Sequence, residues 1–183
     1  GIWEAATIKT FLETASDSKY LEAFSLAALT GLRRSELAGL MWSDIDFKTS
    51  RLQVVRTRQR IYRHAIVEGQ PKTHRSRRSV ALSPSAVSVL ESLKTKQLEM
   101  RLKAGSAWKH SGYVFIMDNG IPVDPDNISR EFRRIVKDAD IPYGTLHGLR
   151  HSFATALLSA NVHPAVVQSA LGHSSITITI DTY

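Results

Sequence analysis

Residues 146–154 read LHGLRHSFA, and the reading of this stretch decides both the local fold and the chemistry around it. Apart from two histidines and an arginine, its residues are mostly apolar or small, which suits a helix packed on a core. His147 and His151 are four apart and His147 and Arg150 three apart, so on a helix either pair shares a face. The first pair suits a metal, the second a phosphate. A zinc protease of the HExxH type needs a glutamate beside the first histidine as its base, and Gly148 stands there. Arg150 adds a permanent positive charge that opposes a cation on the same surface. The pair that matters is therefore His147 with Arg150. His151 reads as a packed structural histidine, and no metal site is expected.

Outward from this helix, the chain has 183 residues, 43% of them hydrophobic, which is enough for one well-buried domain and too few for two of ordinary size. It has no cysteine, so disulfides and cysteine-based metal sites are excluded. No apolar run approaches the roughly 20 residues that span a bilayer, and the opening GIWEAATIKTF lacks a signal-like core, so a cytoplasmic protein without membrane contact is expected. The abrupt start at Gly1 suggests a fragment of something longer.

The net charge of +7 is concentrated in one segment. Residues 51–78 hold nine of the chain's 24 Lys/Arg and one of its 17 Asp/Glu, Glu68, while the remainder is close to neutral. Such a stripe is either a footprint for a polyanion or a solvated sheet edge.

Apolar spacing of three and four predicts helices in WEAATIKTFLETA, in KYLEAFSLAAL (capped by Asp17 or Ser18) and in RRSELAGLMW, with a turn opening at Ser43 and Asp44. Partial alternation in RLQVVRTRQRIYRHAIVEG and RRSVAL predicts three short antiparallel strands, with Lys72 in or beside the second connection. A long helix begins at Ser83 and Pro84 and stops near Gly105. YVFIMDNGIPV suggests a small Asn-Gly hairpin. PDNISREFRRIVKDA, 146–160, 164–171 and SSITITIDTY complete the helices. The fold class is α+β, mainly α, with a three-stranded antiparallel sheet on one edge.

A polyanion reading asks for planar donors on a phosphate, a proton donor for the leaving oxygen and a nucleophile. Arg33 follows a Thr-Gly break at a helix start, with Arg34 as its competitor. Arg150 and His147 come from the HxxR helix, Lys72 from the strand connection, His173 from LGHSS, and Tyr183 ends the chain. Glu36, three after Arg33, can orient its guanidinium.

In their order these residues resemble the tyrosine recombinase family, the phage integrase group in particular. TGLRRSELAGLMWSDIDF is similar to its first arginine block, PKTHRSRRSVAL to its lysine turn, LHGLRHSFATALL to its HxxR helix, and LGHSSITITIDTY to its second histidine and tyrosine. The resemblance covers nearly the whole chain and implies the DNA breaking-rejoining fold. It implies that Arg33 and Arg150 bind the scissile phosphate, Lys72 is the general acid, His147 assists proton transfer, His173 donates to a phosphate oxygen, and Tyr183 is the nucleophile forming a 3′-phosphotyrosyl link. Neither metal nor ATP nor another cofactor is implied. The partner is double-stranded DNA, gripped by Arg56, Arg58, Arg60, Arg63, Arg75, Arg77 and Arg78, within a bacterial cell at the nucleoid. The hairpin looks more like that of mobile-element integrases than of chromosomal resolvases.

The same resemblance implies that residues 1–183 are a single catalytic domain, with the family's N-terminal DNA-clamping domain and C-terminal tail absent. The expectation is then a monomer free of DNA, a tetramer on DNA for the full-length protein, and Tyr183 away from the pocket. Two rivals from other classes remain. One is a non-catalytic helix-turn-helix-like module built on TALLSANVHPAVVQSALGHSS. The other is a metal-dependent nuclease using Asp124 and Asp126, although DPD at a helix start is better explained as capping.

Overall fold

The computed structural model describes residues 2–63, 65–71, 76–159 and 163. The predicted helices form where apolar spacing meets a stop or start signal. They are α1 (Ala5–Thr14), α2 (Leu21–Thr30), α3 (Arg34–Gly39), α4 (Pro84–Ala104), α5 (Pro125–Asp138) and α6 (Leu146–Ser159). Ser83 accepts a hydrogen bond from the Ala86 N–H with Pro84 at the first helical position, and Gly105 ends α4 at φ 55°. Asp124 caps α5 by accepting from the Asp126 N–H at 2.9 Å, as the DPD reading requires. Before α2, Ser18 accepts from the Tyr20 N–H. A short 3-10 turn at Trp42–Asp44 follows α3 where Ser43 and Asp44 announce one.

An aromatic cluster joins the helices. Phe11 of α1 and Phe132 of α5 approach to 4.5 Å between ring centroids, Trp3 stacks on Phe132 at 5.6 Å, and Phe24 of α2 meets Phe132 edge-on. Trp3 also fixes the entry to α6. Its backbone N–H donates to Ser152 Oγ and its indole N–H to the Pro142 carbonyl. Gly144 lies so close to the indole that a Cβ there would sit 2.3 Å from the ring. The side chain missing at Gly144 lets the chain pass the tryptophan and begin the HxxR helix, whose first turn is tied by the Gly148 N–H to Thr145 Oγ1.

Among the described residues the β region holds five short strands. β1 (Ile45–Asp46), β2 (Arg51–Val54) and β5 (Arg78–Ala81) form one antiparallel sheet in the order β1-β2-β5, with Leu52 opposite Val80 and Val54 opposite Arg78. β3 (Thr57–Arg60) and β4 (Ile66–Gly69) form a separate antiparallel hairpin, Thr57 opposite Gly69. The three-stranded sheet is present, but its strands are not the expected three, because the run from Arg51 to Arg60 breaks at residues 55–56. There the chain crosses the end of α3, and a Cβ on Gly39 would lie 2.8 Å from the Arg56 carbonyl oxygen. Leu52, Val54 and Val80 face the core, while Arg51 and Gln53 face outward onto Ser79.

The Asn-Gly hairpin forms as a tight turn, with the Met117 N–H on the Ile121 carbonyl and Gly120 at φ 89°. The expected helices at 164–171 and 174–183 lie outside the described residues. Among the described residues no helix is long and apolar enough to cross a membrane.

Candidate active site: an arginine pair on α3 and α6

α2 ends at Gly31, whose left-handed conformation (φ 70°) turns the chain so that Arg33 caps α3. This turn also aims the Gly31 carbonyl at α6, where Arg150 Nη1 donates to it at 2.8 Å. Arg150 is 1% exposed and is the largest fully buried side chain among the described residues. A charge so deep requires hydrogen-bonding partners and a countercharge. Glu36, in the first turn of α3 and 3% exposed, supplies the countercharge with an oxygen 3.8 Å from Arg150 Nη1.

Glu36 is the hub of the site. Oε1 accepts the Arg33 backbone N–H at 2.8 Å, and Oε2 lies 3.5 Å from the Arg33 guanidinium. Sequence spacing predicts the link to Arg33, but not the partner that holds the carboxylate most closely. Arg78, at the start of β5, grips both oxygens at 2.7 and 3.1 Å and also donates to the Ser76 carbonyl. Burial pushes the Glu36 carboxyl up. The Arg78 hydrogen bonds and charge, then the Arg33 N–H and guanidinium, outweigh it and hold the group below its ordinary range. Glu36 is thus a buried anion and not the exposed surface pair that its spacing alone would suggest.

The competition between Arg33 and Arg34 is resolved by direction. Arg34 reaches to α5, donating to Ser129 Oγ and lying 3.4 Å from Asp126. Arg33 stays half-exposed beside Glu36. His147 is exposed one turn before Arg150 on α6, with the ring of the half-buried His151 edge-on at 4.4 Å. Partial loss of hydration, then the charges of His151, Arg150 and Arg33, lower the His147 pKa. The His151 pKa is lowered too, by burial and then by Arg150. Both rings therefore favour the neutral form beside the arginines. The structure brings Arg33, Glu36, His147 and Arg150 together. Lys72, Arg75, His173 and Tyr183, with the expectation about where Tyr183 sits, lie outside the described residues.

The basic stripe is placed differently from expectation. Arg58 is 8% exposed, donates to the Ala38 and Val123 carbonyls and lies over the Tyr113 ring, so it offers no surface to a phosphate. The Arg78 side chain is 5% exposed and committed to Glu36. Arg56 binds Asp44 and approaches Glu68, and Arg60 binds Asp124 and approaches Asp126. Carboxylates from distant segments have been drawn to guanidiniums that the local sequence leaves unbalanced. Arg63 and Arg77 are exposed. Asp124 and Asp126 are engaged by capping and by arginines, in keeping with the structural reading of DPD.

A site in which two guanidiniums, one nearly sealed and one half-open, are backed among the described residues by one buried carboxylate has the donors to hold a phosphate diester. The family model described as the phage integrase family matches residues 4–183. The chain belongs to the phage integrase family. It is 35% identical to a protein named tyrosine recombinase XerC-like from Caldanaerobacter subterraneus subsp. tengcongensis, over 96% of this chain and 48% of the relative. It is 30% identical to the ICEBs1 integrase of Bacillus subtilis, over 99% of this chain and 49% of the relative. The chain thus spans about half the length of the curated relatives it matches.

Among solved structures, the Tn1549 transposon integrase in complex with transposon right end DNA superposes with a TM-score of 0.86 at 25% identity, covering 100% of this chain and 61% of that one. The XerA recombinase gives a TM-score of 0.78 at 27% identity, covering 100% and 59%. The family's fold, mainly helical with a small antiparallel sheet, is the fold of this chain.

Proposed function

We propose that this chain is the catalytic part of a site-specific DNA recombinase that integrates or excises a mobile element. The observation that carries this reading is the meeting of Arg33 and Arg150 at one buried carboxylate, Glu36, although they come from opposite ends of the chain. Attack on a DNA phosphodiester puts extra negative charge on the non-bridging oxygens in the transition state. Two preoriented guanidiniums suit that charge.

In this reading the Tyr183 oxygen attacks phosphorus, the bond to the 5′ oxygen breaks, and Lys72 gives that oxygen a proton. General acid catalysis of this kind is typically worth about 10²–10⁴-fold. An unperturbed tyrosine has a pKa of about 10, so its attack requires cationic surroundings and a proton acceptor. His147, nearby and favouring the neutral form, suits proton transfer, and His173 donates to a phosphate oxygen. The phosphotyrosyl link keeps the bond energy until a 5′ hydroxyl of another strand attacks, and metal and ATP have no part in that exchange. The exposed Arg63 and Arg77, together with Arg75, contact DNA phosphates. The protein works as a tetramer on double-stranded DNA, in the cytoplasm at the nucleoid.

The test begins with a recognition sequence selected by binding from a random duplex library. A nicked version of that duplex, which traps the attack step, is then incubated with the protein with and without EDTA. A covalent protein–DNA adduct that is insensitive to EDTA and lost in Tyr183→Phe is the expected outcome. Binding without any adduct would mark a non-catalytic module, and cleavage abolished by EDTA a metal-dependent nuclease.

A further inference from the structure

Glu36 has more cations around it than one carboxylate needs. Arg78 spans both oxygens at 2.7 and 3.1 Å, Arg33 stands at 3.5 Å and Arg150 at 3.8 Å. The Glu36 and Arg78 side chains are 1% and 5% exposed, so water cannot take the place of either partner. A buried carboxylate deprived of its nearest cation draws in the next one. Here the next cations are the two guanidiniums assigned to the phosphate.

We propose that Arg78 is a positioning residue that saturates Glu36 and so keeps Arg33 and Arg150 from being drawn onto the carboxylate and away from the scissile phosphate. The proposal rests on the recombinase reading above. Three features of the geometry support it. The two-pronged grip of Arg78 uses the strong, planar pairing that guanidinium and carboxylate favour, whereas the Arg33 and Arg150 guanidiniums keep to longer approaches. Arg78 is itself anchored by donation to the Ser76 carbonyl, so its fork is held before any DNA arrives. And β5 is paired along its length with β2, in the register Val54 opposite Arg78, so the backbone bearing the fork is fixed by a sheet and not by a loop. Arg78 acts through Glu36.

A merely structural role and this positioning role differ in sign and in substrate dependence. In Arg78→Met, Glu36 turns to Arg33 and Arg150, and single-turnover adduct formation on the nicked duplex is expected to fall about 10²-fold, the scale of losing one transition-state donor. Adding Glu36→Gln removes the competing charge, so the double variant is expected to be faster than Arg78→Met alone. On a duplex whose scissile phosphate is replaced by a methylphosphonate, which lacks one anionic oxygen, the gap between wild type and Arg78→Met is expected to shrink to a few-fold.

A double variant as slow as Arg78→Met or slower, or an equal loss on both substrates, would overturn the proposal. Circular dichroism establishes that each variant is folded. Should Arg78→Met not fold, Arg78→Lys carries the test. It keeps the charge but cannot span both oxygens, so roughly tenfold slower reaction on phosphate and near-equality on methylphosphonate are expected, and equal slowing on both defeats the idea. Wild-type protein that forms no adduct at all would instead sink the recombinase reading, so the two failures are distinguishable.

Discussion

Arginines occupy two regions of this molecule in opposite ways. Along β3 and its approach, each cation has a share of negative charge or carbonyl oxygen of its own: Arg56 with Asp44 and Glu68, Arg60 with Asp124 and Asp126, Arg58 with two carbonyls. At the junction of α3, β5 and α6, three guanidiniums share one carboxylate among the described residues, that of Glu36. The first arrangement fastens a hairpin to the helices. In the second, Arg33 and Arg150 stand 3.5 and 3.8 Å from a carboxylate that Arg78 already spans, and this crowding of cations sets the junction apart from a strut.

The sharpest way to break this contrast is at the buried member of the pair. Arg150→Lys keeps a positive charge but loses the planar guanidinium whose Nη1 donates to Gly31 O and lies 3.8 Å from Glu36, and single-turnover adduct formation is expected to fall by about 10²–10³-fold. Arg60→Ala in the hairpin, measured on the same duplex, should remain within a few-fold of wild type. Comparable losses in the two variants would erase the distinction between the regions.

A second test moves the site without touching its charges. Gly144→Ala puts a methyl group 2.3 Å from the Trp3 ring, so either the indole or the start of α6 must shift. Overpacking of this kind costs about 1–3 kcal/mol. A lower melting temperature is expected, with adduct formation falling further than in an equally destabilised hairpin variant, because α6 carries His147 and Arg150.

Acid should reach both regions in its lower window, since Asp124 beside the hairpin is lowered as Glu36 is, whereas the upper window belongs to the α6 histidines. The Glu36 carboxyl is held below its unperturbed value of 4.5, so the folded state binds fewer protons than the unfolded one, and the stabilisation present above 4.5 is lost as pH falls from there through the lowered folded value. His147 and His151, both lowered from 6.5, make the unfolded state the better proton binder just below 6.5, so stability also falls with pH in that higher window. Melting temperatures taken across both windows should show two steps. His147→Gln flattens the upper step and leaves the lower one, and a curve unchanged by His147→Gln would contradict this assignment.

Which parts of this arrangement are legible in the sequence follows from how local their causes are. Helix starts are legible because Ser83 with Pro84, and Asp124 with Pro125, satisfy the free amides of the turn they precede. The HxxR pair is legible because helical spacing alone places His147 and Arg150 on one face. The division of the strands is not, because nothing within RLQVVRTRQR marks residues 55–56, and the break comes from the close passage of Gly39. Nor is Arg78 distinguishable from its neighbour Arg77 in sequence. One is buried against a glutamate 42 positions earlier and the other is exposed, a difference made by the start of β5 at Arg78 and by a long-range pair. The same holds for Arg33 and Arg34, separated only by which helix each faces. Charge counted along a chain therefore overstates charge offered to a partner.

The smallest expected effect measures the basic stripe directly. Each duplex phosphate that a protein neutralises steepens the fall of log affinity with log salt by about 0.9. Arg77→Ala and Arg63→Ala, which remove exposed guanidiniums, should each make the slope shallower by close to that amount. Arg60→Ala should leave it nearly unchanged and cost little stability, since its partly exposed pair with Asp124 is screened by solvent. Arg56→Ala should follow Arg60→Ala for DNA binding, because its guanidinium is held by Asp44 and Gly39 O. If Arg60→Ala changed the slope as much as Arg77→Ala, the guanidinium would be leaving Asp124 for DNA, and the hairpin arginines would be held in reserve for the duplex instead of being committed to the fold.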